Sequence, residues 1–256
     1  MISKNQHPSF LKFIKQCGLN YEEKTPHHVR LHQMFGEMNY YLKPGSTYYI
    51  FVQHGLCFID SRFPVLPNMY ASVKGEANLS SDTSAHVIIM ERVDEESFFN
   101  LGGPIEEKGR LKYIDGCTDS LLIPPIRYGQ SCLNHLHFPV RINQTPHTHP
   151  SIRMGIVAKG SGECITPFGN FPLETGDVFA ILSSPLDPTD QLFSAGLDGK
   201  LYLNGTHSFR TFDETMDVIA FHPDSDFGPR DEEHPMINRT IVEGHSAKDI
   251  EQIRTK

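Results

Sequence analysis

The chain has 256 residues, enough to bury a substantial core as one large or two small domains. It is 38% hydrophobic and 21% charged with a formal net charge of −8, which argues against the basic surface that nonspecific binding to nucleic acid or an anionic membrane requires. No apolar run approaches the roughly 20 residues of a membrane span, and five scattered cysteines with no Cys-x-x-Cys pair suggest a reducing, cytoplasmic setting rather than a disulfide framework.

The first stretch, MISKNQHPSFLKFIKQCG, carries Lys4, Lys12 and Lys15 where a signal peptide would keep a continuous apolar segment. Phe10, Leu11, Phe13 and Ile14 follow helical spacing, so residues 1–29 are expected to form a short helical segment docked on the body. A second short helix is expected in SAKDIEQIRTK at the other end.

Between these ends the pattern is β. Runs rich in Val, Ile, Tyr and Phe recur between Gly, Pro, Asn and Asp: STYYIFVQHG, AHVIIMERV, DSLLIPPIRYG, CLNHLHFPVRI, IRMGIVAKGSGECITP, DVFAILSS, KLYLNG and MDVIAFHPD. So many strands at short spacing predict an all-β sandwich or barrel. Two comparable blocks emerge, 30–110 and 111–225, each with a Gly-punctuated strand pair followed by a later apolar strand, as an internal duplication would give. Residues 226–256 form a polar extension that would cross to the other domain or to another subunit.

The chemistry concentrates in QTPHTHPSIRMGIVAKGSG, residues 144–162. His147 and His149 are one residue apart, so on a strand both imidazoles would share a face and converge on one point. Neutral imidazoles are good ligands for Fe, Zn, Cu, Ni and Mn. Four residues on stands Arg153, a cation where such a site usually offers a carboxylate. The run CLNHLHFPV adds His135 and His137 with the same spacing, candidates to stand behind the ligands and orient them or the substrate together with Gln144, or else to face solvent or the other block. His222 is expected to stabilise the turn after the last strand. The first block has no such pair: His27 and His28 are adjacent and would point to opposite faces.

HTHPSIRMGIVAKGSG followed by FPLETGDVFAI resembles the cupin superfamily over about residues 120–225. His147 and His149 match the His-x-His of its first motif and Gly160 the closing glycine; Pro172, Gly176 and Asp177 give a looser version of its second-motif turn. The resemblance implies double-stranded β-helix (jelly-roll) barrels with one divalent metal inside. The duplicated blocks would then make a bicupin whose first barrel, 30–110, is degenerate and metal-free.

It further implies a third ligand, for which His207 is expected. About 30 residues separate it from Gly176 where a dozen or fewer is common, so SSPLDPTDQLFSAGLDGKLYLNG would be an insertion near the barrel mouth. Without such an insertion Asp187 would be the alternative ligand. Arg153 occupies the slot of the usual glutamate ligand, and arginine cannot ligate. A neutral three-His site results, most in keeping with Fe(II), although Zn, Ni, Mn or Cu would also fit.

In such a site an anionic substrate replaces the missing carboxylate, and Arg153 would hold it by a bidentate fork; its alternative role is a salt bridge that fixes a strand. The expectation is an Fe(II) dioxygenase taking a small anionic substrate and O2, in a homodimer. The competing expectations are a non-catalytic small-molecule-binding cupin, and an isomerase, lyase or hydrolase using Zn, Ni or Mn.

Overall fold

The computed structural model describes residues 7–230, 236 and 239–250. Two large antiparallel sheets dominate it, and their strands follow the same neighbour order. In the first, the order is Asn100–Gly102, Tyr70–Lys74, Ser46–His54, His86–Val93, Val29–Phe35, Gly18–Glu23. In the second it is Phe10–Phe13, Val178–Ile181, Arg153–Thr166, Met216–His222, Cys132–Phe138, Thr118–Ile123, with Leu111–Lys112 at the far edge. Each sheet folds over a smaller one. Strands Met38–Leu42, Ala77–Ser81, Cys57–Ile59 and Phe63–Val65 close the first. Gly169–Glu174 and Ser208–Arg210 pair with the far half of Arg153–Thr166 to close the second.

Side-chain alternation sorts the apolar residues into three cores. Tyr48, Ile50 and Val52 point into the first barrel with Val87 and Ile89. Val218 and Ala220 point into the second with Leu136, Phe138 and Phe179. The alternate residues, Tyr49, Phe51, Ile88 and Met90 from one sheet and Ile156, Ile219 and Phe221 from the other, pack together between the sheets. Both faces of the central strands are therefore covered, which is why they read as continuous apolar runs.

Two expected helices are absent. FLKF is a strand at the edge of the second sheet, pairing Phe10 with Ile181 through Phe13 with Val178. Its apolar residues serve two faces: Phe10 is buried inside the barrel, while Leu11 and Phe13 pack into the core between the sheets. Lys12, on Phe10's side of the strand, reaches Asp177 at 2.6 Å. Two-sided burial accounts for Phe10, Leu11 and Phe13; with the exposed Ile14 just past the strand, the run also satisfies helical spacing. Residues 7–29 are thus not a separate helical segment; they supply one strand to each large sheet, Gly18–Glu23 being the first sheet's edge, and residues 1–6 lie outside the described residues. At the other end, Ala247–Asp249 makes only a 3-10 turn, with Ser246 accepting a hydrogen bond from the Lys248 amide, and residues 251–256 lie outside the described residues. No described helix is long and apolar enough to cross a membrane.

Between Gly176 and His207 the chain first forms the sheet strand Val178–Ile181, and the remainder lies outside the two large sheets. It holds a 3-10 turn, Pro188–Asp190, and a two-stranded hairpin of Phe193–Ala195 and Leu201–Leu203. Gly160 bends the long strand at φ +78°, where a Cβ would lie 1.8 Å from the Thr215 carbonyl oxygen, so only glycine fits.

Candidate metal centre

His147 and His149 lie on an extended segment just before the strand Arg153–Thr166, not on the strand itself. A single antiparallel bridge holds this segment: the His147 amide donates to the His207 carbonyl at 2.9 Å, and the His207 amide to the His147 carbonyl at 3.0 Å. The His149 carbonyl accepts from the Ser184 amide at 2.7 Å. Backbone hydrogen bonds thus place all three residues. Their ligand nitrogens lie within 4.8 Å of one another, and the ring centroids are 4.5–5.1 Å apart.

The protons are placed for ligation as well. His147 Nδ1 donates to the Thr145 carbonyl at 2.9 Å, and His207 Nδ1 to the Gly205 carbonyl at 2.8 Å. A carbonyl can only accept, so each ring carries its proton on Nδ1 and presents a bare Nε2. His207 Nε2 is buried with no hydrogen-bond partner. Burial, reinforced by His147, pushes the His207 pKa down to about 3. Burial and the neighbouring Arg153 push His149 far below the usual histidine range. Both rings are neutral at physiological pH. A buried lone pair without a donor is costly, and a divalent cation is the group that three converging imidazoles fit.

The centre opens on a cavity of about 30 Å³, room for about two water-sized groups. Its walls are mainly apolar: Leu136, Phe138, Phe179, Phe209, Val218 and Ala220. Arg153 lines it too, but is not free. Arg153 Nη1 donates to the Ser151 Oγ, to the carbonyls of Ser151 (3.2 Å) and Ile152 (3.1 Å), and to Asp224 Oδ1 at 3.2 Å. Asp224 in turn accepts from Ser151 Oγ and lies 3.8 Å from His27 of the first block. The salt bridge weighed for Arg153 is therefore present, while its buried Nε keeps no partner.

The other candidates fall in different places. Asp187 is exposed and caps the 3-10 turn, accepting from the Thr189 amide at 2.9 Å; it does not join the cluster. His135 and His137 alternate with the cavity-lining Leu136 and Phe138, and so face away from the metal site. They share one carboxylate oxygen, Asp217 Oδ1, at 2.9 and 2.8 Å. Gln144 does line the cavity; its Oε1 accepts from the Phe209 amide at 3.3 Å and its amide group donates to Cys117 Sγ. His222 was expected at a turn, yet it lines the cavity beside His149 and Arg153. Tyr113 and Asp224 were not anticipated. Asp224 follows His222 by two residues, and its parity on the last strand's exit was the available signal.

No protein-family model matches the sequence, and no curated protein sequence matches it. Solved structures do. A cupin 2 conserved barrel domain protein from Leptotrichia buccalis is 14% identical, with 86% of this chain and 91% of that one covered at a TM-score of 0.50. Protein Ylba from E. coli is 11% identical over 90% of this chain and 89% of its own, at 0.53. AerE from Microcystis aeruginosa is 10% identical over 84% and 98%, at 0.51. Identities this low speak for the fold alone, and that fold, with its paired jelly-roll sheets, is the fold of the cupin superfamily.

Proposed function

We propose that the chain is a mononuclear metal-dependent oxygenase, an Fe(II) enzyme acting on a small anionic organic substrate. The observation that carries this reading is a three-imidazole cluster beside a mainly apolar cavity with one cation, Arg153, on its wall. Bound Fe(II) would supply positions at which substrate and dioxygen meet already oriented. The chain's own part is to hold that arrangement. His147 and His207 keep their Nδ1 protons on backbone carbonyls, the apolar walls limit water, and Arg153 sets a positive charge on the wall that would attract a carboxylate. Asp224 and Ser151 fix the guanidinium in place. The cavity volume means that only a small substrate, or only its reacting end, enters.

In this reading the first barrel serves packing rather than chemistry. On the inner face of its strand His86–Val93 stands Glu91, which is tied to Arg30, His32, Ser46 and Tyr48, where the matching strand Met216–His222 places His222 on a cavity wall.

The test is oxygen uptake by Fe(II)-loaded protein with a panel of small carboxylates, wild type against Arg153→Leu. The expected result is uptake by wild type and a KM raised at least about tenfold in the variant, with metal content unchanged. Turnover without oxygen consumption, supported by Zn, Ni or Mn, would replace the oxygenase with Lewis-acid chemistry. Ligand binding without turnover would leave a binding protein.

A further inference from the structure

Outside the three imidazoles, the polar side chains on the wall of the metal-site cavity are Tyr113, Gln144, Arg153 and His222. Two of them are already tied to the protein. Gln144 is engaged at both ends of its amide, and Arg153 is pinned through Nη1 to Asp224 and Ser151. The other two are not: among the described residues, no hydrogen bond forms on the Tyr113 hydroxyl or on the His222 ring. Both residues are only partly buried, and neither has a polar atom sealed away from water.

Their placement follows from the backbone. Tyr113 comes directly after the edge strand Leu111–Lys112, and its amide donates to the Cys117 carbonyl at 2.9 Å across the 3-10 turn Ile114–Gly116. His222 ends the strand Met216–His222 on the inward face that it shares with Val218 and Ala220. Met154 pairs with Phe221, so the end of that ladder sets His222 opposite Arg153. The guanidinium lies close enough to act on both groups through its charge.

The two groups have a common chemistry. Burial pushes the Tyr113 pKa up, so the hydroxyl keeps its proton, and burial followed by Arg153 holds His222 well below the usual histidine range. The hydroxyl and the one N–H of a neutral imidazole are both donors. Two free donors beside a fixed cation suit an anion. The space, room for about two water-sized groups, suits the two oxygens of a carboxylate better than the three or more of a phosphate or sulfonate.

We propose that Tyr113 and His222 hydrogen-bond the carboxylate of the substrate, with Arg153 supplying charge from its pinned position. The proposal rests on the reading of this cavity as the substrate site, and not on the use of oxygen.

The test is saturation-transfer NMR on the full chain loaded with Zn(II), which is diamagnetic, using sodium formate and, as its uncharged counterpart, formamide. The expected result is saturable binding of formate, with formamide at least about tenfold weaker. Tyr113→Phe and His222→Leu should each weaken formate at least about tenfold, the scale of a hydrogen bond to a charged group, with metal content unchanged. His222→Gln keeps an N–H and should bind formate within about threefold of wild type. Should His222→Leu fail to fold, His222→Phe takes its place, and Tyr113→Phe loses only one oxygen. No formate binding, equal binding of formamide, or full formate affinity in folded Tyr113→Phe or His222→Leu would each overturn the proposal, as would His222→Gln as weak as His222→Leu. Absence of Zn(II) from the wild type would count against the metal centre instead, and formate titration of the metal-free chain and its variants would still decide the proposal.

Discussion

His207→Ala is expected to abolish metal binding while leaving the fold intact. The imidazole is buried, its Nε2 has no protein partner, and its Nδ1 is fixed on the Gly205 carbonyl. The other candidates do not stand in for it: Asp187 is outside the site, Gln144 is engaged with Phe209 and Cys117, and His222, though on the cavity wall, does not join the three-imidazole cluster. Losing even a group behind a metal ligand costs about 10–100-fold in affinity, so losing a ligand should cost more than about a hundredfold. The bridge between His147 and His207 uses backbone atoms only, so alanine preserves it. Equilibrium dialysis against Fe(II) or Zn(II) followed by metal analysis should give about one ion per chain for wild type and less than a tenth of that for the variant. Asp187→Ala should match wild type.

Glu91→Ala is expected to destabilise the chain by about 1–3 kcal/mol, the cost of leaving buried donors without their charged acceptor. Glu91 is 3% exposed and accepts from Ser46 Oγ at 2.7 Å, Arg30 Nη1 at 3.1 Å and Tyr48 hydroxyl at 3.2 Å, with His32 Nε2 at 3.3 Å from its second oxygen. Alanine would leave the Ser46 and Tyr48 hydroxyls without that acceptor inside the barrel, while Arg30, partly exposed, keeps Glu22. Burial by itself raises the Glu91 pKa, but His32, Ser46 and Arg30 together outweigh it and bring the carboxyl down to about 2. A carboxylate depressed in the folded state stabilises above its unfolded pKa of about 4.3 and loses that contribution as pH falls through the folded value. Urea unfolding should therefore show wild type losing stability between about pH 4.3 and 2, with a shallower loss in Glu91→Ala. A difference under about 1 kcal/mol at pH 7 would mean that the network contributes little.

The parts of this molecule that were legible in the sequence are those set by local spacing. The His-x-His pair, Gly160 at its positive φ, and the excess length between Gly176 and His207 all have local signatures, and the apolar runs marked the central strands. The illegible parts depend on partners far along the chain. FLKF is a strand because Val178–Ile181 offers an edge about 170 residues away, and no local feature reports that edge. His135 and His137 have the same spacing as His147 and His149, yet they turn outward because the strand's parity is set by Leu136 and Phe138 in the barrel. His222 and Arg153 meet at the cavity only because their two strands are neighbours in the sheet, Met154 pairing with Phe221. The Arg153–Asp224 salt bridge, spanning 71 residues, was likewise beyond local pattern.

The central claim is that the second barrel holds one metal ion on His147, His149 and His207. X-ray absorption spectroscopy at the metal edge of wild-type protein, loaded anaerobically with one equivalent of Fe(II), tests it most directly. The account predicts three imidazole nitrogens at about 2.1 Å, with the remaining ligands light oxygen or nitrogen atoms and no sulfur. A spectrum of hydrated or oxygen-only iron, or the same three-imidazole signal in His207→Ala, would contradict it.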